Sequence, residues 1–155
     1  IYRGYDKHKI IRVTRNTELC DKLDIEGKVE RKTALQLMAG ADVLLLLSID
    51  PKRNSDYLLN NGVYTGKVFE YMGLNKPIVL SPGDNGDLDE LILSTKSGWI
   101  CTSPIEVSNT LYKLYNRWLM NIELKKMDNH LVQQYARPNQ MRYLSDLLKP
   151  LVNDL

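Results

Sequence analysis

Val43-Leu-Leu-Leu-Leu47, Gly66-Lys-Val-Phe-Glu-Tyr-Met-Gly73 and Pro77-Ile-Val-Leu80 read in order as strand, helix and strand. The first run is apolar throughout, too uniform for a strand with one wet face, so it is expected to be a central strand of a parallel sheet. Thr65 stands where a cap would accept helix amides, and Asn75 ends the helix. Working outward, Thr33 to Ala39 gives a helix stopped by Gly40. Asp87-x-x-Glu90 opens another through Ser94 in capping-box style. Gly98 to Cys101 is a third short strand. Ser103-Pro-Ile-Glu106 then combines a capping Ser, Pro at the first helical position and Glu three residues after the cap. Val107, Leu111, Leu114, Trp118 and Ile122 give that helix an apolar stripe.

The flanks are less regular. Ile10 to Val13 reads as a β-branched strand, Asn16 or Thr17 to Leu23 as a weak helix, and Leu23 to Ile25 as a strand ended by Gly27. From Leu131 to Leu151, Leu144, Leu147, Leu148 and Leu151 mark one or two helices broken near Pro138, a helical tail over 131–155. Alternation of strands and helices implies an α/β fold: a Rossmann-like parallel sheet with helices on both faces. In such sheets ligands sit beyond the carboxyl ends of the strands, here the loop 48–65, the Gly66 helix start and the loop 81–87.

Composition sets the bounds. At 155 residues and 43% hydrophobic content the chain suits one domain spanning 1–155. A net charge of +2 without a basic tract gives no footprint for nucleic acid, and no nucleic-acid partner is expected. No apolar run approaches the roughly 20 residues that cross a bilayer, and Cys20 and Cys101 are isolated, so a reducing cytoplasmic location is expected. His8 and His130 lie far apart with no ligand-like neighbours, and no metal is expected. Ser48, Ser81 and Ser103 lack the setting of an esterase nucleophile. Trp99 and Trp118 read as packing residues.

The chemistry concentrates in Asn61-Gly-Val-Tyr-Thr-Gly-Lys-Val-Phe-Glu70. With Thr65 as cap, the first amides of the helix carry no intrahelical partner and the positive end of its dipole lies with them. Gly66 lets an oxygen-rich group approach the backbone and Lys67 adds a mobile cation, so a diphosphate fits both. Gly62 and Gly66 shaping a turn beside a solvated Lys67 is the alternative. Glu70, among Val68, Phe69, Tyr71 and Met72, is a carboxylate that needs a partner. Lys67 can supply an i,i+3 ion pair; a ribose, whose two hydroxyls both donate to one carboxylate, can do so as well. Asp84 and Asp87 form turns or cap the next helix, and can also meet sugar hydroxyls.

The run Gly66-Lys-Val-Phe-Glu-Tyr-Met-Gly-Leu-Asn-Lys-Pro-Ile-Val-Leu80, preceded by Ala41-Asp-Val-Leu-Leu-Leu-Leu47 and followed by Asp87-Leu-Asp-Glu-Leu91 and Gly98, resembles the donor-binding domain of GT-B glycosyltransferases, family 4 above all. Val29-Glu-Arg31 with Ala34, Leu35 and Met38 matches the segment before the first of those strands, and the likeness covers about residues 24–148. It implies the C-terminal half of a GT-B fold that binds a nucleotide-sugar, with no cofactor. An absent N-terminal half would bind the acceptor, carry any membrane association and supply the general base. Position by position, Glu70 matches the second Glu of the E-x7-E motif, which holds the ribose. The first Glu falls at Gly62, so this chain lacks it and the likeness carries no stereochemical outcome. The amides around Tyr64, Thr65 and Gly66 match the stretch contacting pyrophosphate or sugar. Lys67 belongs to a variant with Lys three residues before the Glu. The usual phosphate-binding basic pair has Arg3, Lys7, Lys9, Arg12 and Arg15 as candidates.

Two other readings stand beside this one. Asp50, just beyond the strand 43–47, has the placement of a response-regulator phosphoacceptor, although no acidic pair follows Ile10–Val13 and no Lys stands in Cys101-Thr-Ser-Pro104. A nucleotide-sugar epimerase half shares the architecture.

Overall fold

The computed structural model describes residues 1–48, 64–124, 127 and 129–153. The chain divides into two compact units, Ile1–Gly40 and Ala41–Leu155. Together they make an α/β protein with small parallel sheets.

In the first unit β1 (Tyr2–Arg3) pairs in parallel with β2 (Ile25–Glu26), accompanied by α1 (Lys7–Thr14), a 3-10 turn at Cys20–Lys22 and α2 (Arg31–Gly40). Arg3 ties this pair together. Its guanidinium donates to Asp24 Oδ2 at 2.7 Å and to the carbonyl oxygens of Tyr2 and Asp24. Its Nε faces Glu26 at 3.1 Å as an ion pair without hydrogen-bond alignment. The Arg3 hydrogen bond holds the Asp24 carboxyl below the usual aspartate range. Of the candidate phosphate-binding cations, Arg3 is therefore already engaged.

The expected strand at Ile10–Val13 lies inside α1 instead. Ile10 and Thr14 stand one helical turn apart and half-buried, α1 packs on β2, and the Thr14 hydroxyl donates to the Ile10 carbonyl at 2.9 Å. That burial outweighs β-branched propensity. The weak helix expected up to Leu23 is replaced by turns. There the Thr17 hydroxyl donates to the Thr14 carbonyl and accepts from the Leu19 amide, competing with helical bonding.

In the second unit β3 (Leu44–Leu47), β4 (Ile78–Ser81) and β5 (Gly98–Ile100) pair in parallel in that order. Helix α3 (Gly66–Gly73) connects toward β4, α4 (Asp87–Ser94) joins β4 to β5, and α5 (Pro104–Leu119), α6 (Asn129–Gln133) and α7 (Arg137–Asn153) follow. Two right-handed crossovers running the same way put α3 and α4 on one face of the sheet. The register gives that face Leu44, Leu46, Ile78 and Leu80, all buried, as are Val68 of α3 and Leu91 and Ile92 of α4. On the other face Val79 and Cys101 pack with Leu114 of α5, with Val43, Trp99 and Val107 around them. Each leucine-sized side chain so buried contributes about 1.5–3 kcal/mol.

The 43–47 run corrects one expectation. The central strand is β4, buried at Ile78, Val79 and Leu80, whereas β3 pairs on one side among the described residues and alternates. Leu45 and Leu47 are 49% and 69% exposed, whereas Val79 beside them in β4 is buried with Leu114 of α5. The α5 stripe is likewise buried only in part: Leu114 is in the core, while Leu111, Trp118 and Ile122 are exposed, Trp118 stacking on Tyr115. The tail forms two helices separated just ahead of Pro138, and its Leu144, Leu147, Leu148 and Leu151 stay exposed.

Three helices end alike. In α3, α4 and α5 a left-handed residue, Asn75, Lys96 or Asn121, follows the last turn. Each has paired amide-to-carbonyl bonds closing a Schellman motif: Lys76 to Tyr71 with Asn75 to Met72, Ser97 to Ile92 with Lys96 to Leu93, and Ile122 to Arg117 with Asn121 to Trp118. Buried Thr95 and Ser97 complete the α4 end, the Thr95 hydroxyl bonding the Leu91 carbonyl at 2.6 Å and Ser97 Oγ at 2.9 Å. Just beyond, a Cβ on Gly98 would collide with the backbone of Ile78.

Two substitutions therefore move stability in opposite directions. Gly98→Ala is expected to lose about 3 kcal/mol by prising β5 from β4, and Lys96→Gly to gain about 1 kcal/mol by removing a left-handed side chain. Urea unfolding followed by far-UV circular dichroism measures both.

Candidate functional site

Parallel pairing brings three helix starts to the carboxyl edge of one sheet. The strand ends there are themselves tied together, since the Ser48 hydroxyl donates to the Pro82 carbonyl at 2.6 Å. The three starts differ in what fills them.

At α4 the protein supplies its own anion. Asp84 Oδ1 accepts the Gly86 and Asp89 amides at 2.9 and 3.1 Å, and its Oδ2 accepts that of Leu88 at 3.2 Å. Asp89 answers by accepting the Asp84 and Asn85 amides at 2.9 and 3.1 Å. The capping pair is thus Asp84 with Asp89, and the expected box of Asp87 with Glu90 does not form. Gly83 is required beneath it, because a Cβ there would come within 2.6 Å of Ile100 and 2.7 Å of an Asp89 oxygen. Burial raises the Asp89 carboxyl above the usual aspartate range; the two amides pull it back and the neighbouring Asp84 charge pushes it up again.

At α5 the expected cap is present. The Ser103 hydroxyl accepts the Glu106 amide at 3.3 Å, and the Glu106 carboxylate accepts the Thr102 amide at 2.8 Å and its hydroxyl at 3.0 Å. Those bonds, the backbone one foremost, hold Glu106 below the usual glutamate range.

At α3 no side chain among the described residues fills the start. Thr65 occupies the cap position with extended backbone and its carbonyl accepts the Val68 amide at 3.0 Å, yet its hydroxyl caps nothing. The chain's entry is secured instead by Tyr64 and Phe69, whose rings meet edge to face at 5.7 Å. Residues preceding the cap and in the second turn packed this way form a hydrophobic staple. A staple orients the helix without consuming its donors. Among the described residues, the Gly66 and Lys67 amides meet no acceptor, no acidic residue stands in the first turn, and nothing lies within 4 Å of where a Gly66 Cβ would be.

Lys67 is exposed, and the i,i+3 ion pair with Glu70 does not form. Glu70 is half-buried and is not without a partner. Val68, Tyr71 and Met72 bury the opposite side of the helix, so packing directs Gly66, Lys67 and Glu70 away from the core. Gly62 and Asp50 lie outside the described residues. Asp87 is exposed, and both oxygens of Asp84 are engaged. The sequence reading passed over Tyr135, which meets Phe69 at 6.3 Å; its distance along the chain left no local signal. No group of three or more His, Cys, Asp or Glu among the described residues is arranged to hold a metal ion, and no helix among them is long and apolar enough to cross a membrane.

Comparison with protein-family models, with curated proteins and with solved structures finds no match for this chain.

Removing one partner tests the clasp at α4. Asp84→Ala is expected to lower stability by about 1–2 kcal/mol, the usual loss on deleting a cap, and to move the Asp89 titration downward as the neighbouring charge disappears. Thermal unfolding reads the first and carboxyl carbon NMR the second.

Proposed function

We propose that the unit 41–155 binds a nucleoside-diphosphate sugar and is the donor half of a glycosyltransferase. One observation supports the reading: of the three helices that open on the carboxyl edge, two are capped by side chains of this chain, Asp84 with Asp89 and Ser103 with Glu106, whereas among the described residues the first amides of α3 meet no acceptor. An exposed Lys67 beside them and the resemblance of Gly66–Leu80 to family 4 donor domains support the same ligand.

In this reading the Gly66 and Lys67 amides and the Lys67 ammonium hold the diphosphate, with the Tyr64–Thr65 backbone along its path. Glu70, one turn further along the same helix, accepts the ribose hydroxyls, and Asp87 lies toward the sugar. When the bond from the anomeric carbon to the diphosphate oxygen breaks, the electron pair stays on that oxygen, and preorganised donors stabilise the charge there. The acceptor oxygen bonds the anomeric carbon and gives its proton to a base on an N-terminal, acceptor-binding half. No metal or cofactor enters the scheme, and the reaction is placed in the cytoplasm.

Amide NMR titration of the full chain with UDP, GDP, pyrophosphate, and acetyl phosphate plus magnesium tests the reading. Both nucleotides should shift Gly66, Lys67 and Val68. Glu70→Ala should weaken the preferred nucleotide by about 1–3 kcal/mol while leaving pyrophosphate affinity in place, and Lys67→Ala should weaken both. A response to acetyl phosphate centred on Asp50, with none at α3, would instead establish a phosphoacceptor module.

A further inference from the structure

The staple that secures α3 needs two rings, and the structure supplies three. Tyr135, in the turn between α6 and α7, meets Phe69 at 6.3 Å with the ring planes tilted by 41°. Tyr64 and Phe69 remain 41% and 38% exposed and Tyr135 is half-buried, so the trio presents aromatic surface to solvent instead of closing a core. The first turn of α4 opens at the same edge of the sheet as α3, and there Asp87 and Glu90 are exposed and without hydrogen-bond or ion-pair partners among the described residues. Burial raises the Tyr64 hydroxyl above its usual range, and Asp87, Tyr135, Glu90 and Asp84, in that order, raise it further.

Such a surface selects its ligand. Carboxylates repel phosphate and accept from hydroxyl groups. Aromatic rings favour an apolar C–H face, and tyrosine adds a hydroxyl to each end. A neutral ring carrying hydroxyls on its rim and C–H groups on its face meets all three conditions. We propose that Tyr64, Phe69 and Tyr135, with Asp87 and Glu90 at their edge, form a subsite for a pyranose ring. Whether that ring belongs to the donor rests on the reading of the α3 start as a diphosphate site; the subsite itself does not.

Two arms on the full chain separate these. In the first, saturation-transfer NMR with methyl glucoside, mannoside and galactoside should show transfer to the ring C–H protons of at least one. That signal should fall at least fivefold in Tyr135→Ala and survive in Tyr135→Phe. In the second, UDP-glucose and GDP-mannose are compared with UDP and GDP. A donor ring on the platform makes one sugar nucleotide bind at least fivefold more tightly than its diphosphate, and Tyr135→Ala abolishes that gain without changing diphosphate affinity. Glycoside binding without any diphosphate binding sustains the platform and overturns the donor-domain reading. The platform is overturned if Tyr135→Ala weakens diphosphate and sugar nucleotide equally, or if neither arm depends on Tyr135.

Discussion

Parallel pairing of three short apolar strands is the constraint on which the second unit depends. Strands this short give the sheet few hydrogen bonds, and parallel neighbours cannot be joined by tight turns, so each connection includes a helix. Those helices cover the sheet, and the helix that follows each strand must begin at the same edge. The burial of Ile78, Val79 and Leu80 on both faces of β4 and the gathering of three helix starts beyond Ser81 are therefore two results of one topology.

Helix starts gathered this way concentrate partial positive charge, and the chain deals with it unequally. Asp84 and Asp89 neutralise the α4 start and Glu106 the α5 start, each in short bonds to backbone amides. The aromatic contact of Tyr64 with Phe69 does the mechanical part of that work at α3 without the electrostatic part. Among the described residues the first amides of α3 therefore keep no acceptor, while acidic side chains stand in the first turn of α4.

Much of this was legible in the sequence where the cause is local. Ser103, Pro104 and Glu106 announce the α5 start because capping operates within four residues. Pro77–Leu80 announces a buried strand by composition alone, and Asn75 and Asn121 tolerate the left-handed backbone that ends their helices. Lys96 gives no such signal; its left-handed backbone is bracketed by the buried Thr95–Ser97 hydroxyl pair. The run at 43–47 misled for a related reason. Five apolar residues report what a strand can bury, and its place in the sheet decides what it does bury. Ile10–Val13 failed in the opposite sense, its β-branched character overridden by the fit of α1 to β2. At the site, the helix start at Gly66 with Thr65 in the cap position is legible from the sequence, whereas Asp87 with Glu90 is the pair that spacing suggests for the α4 cap in place of Asp84 with Asp89. Both pairs have plausible spacing, and only the turn around Gly83 decides between them.

The mutual clasp of Asp84 and Asp89 has a mechanical consequence. Five backbone donors between residues 84 and 89 are held by two carboxylates, and that of Asp89 leaves no room for a side chain at Gly83, so the segment after β4 is a fixed wall. Any guest arriving at this edge finds one side already set, and the adjustment of shape on its entry falls to the stapled approach into α3.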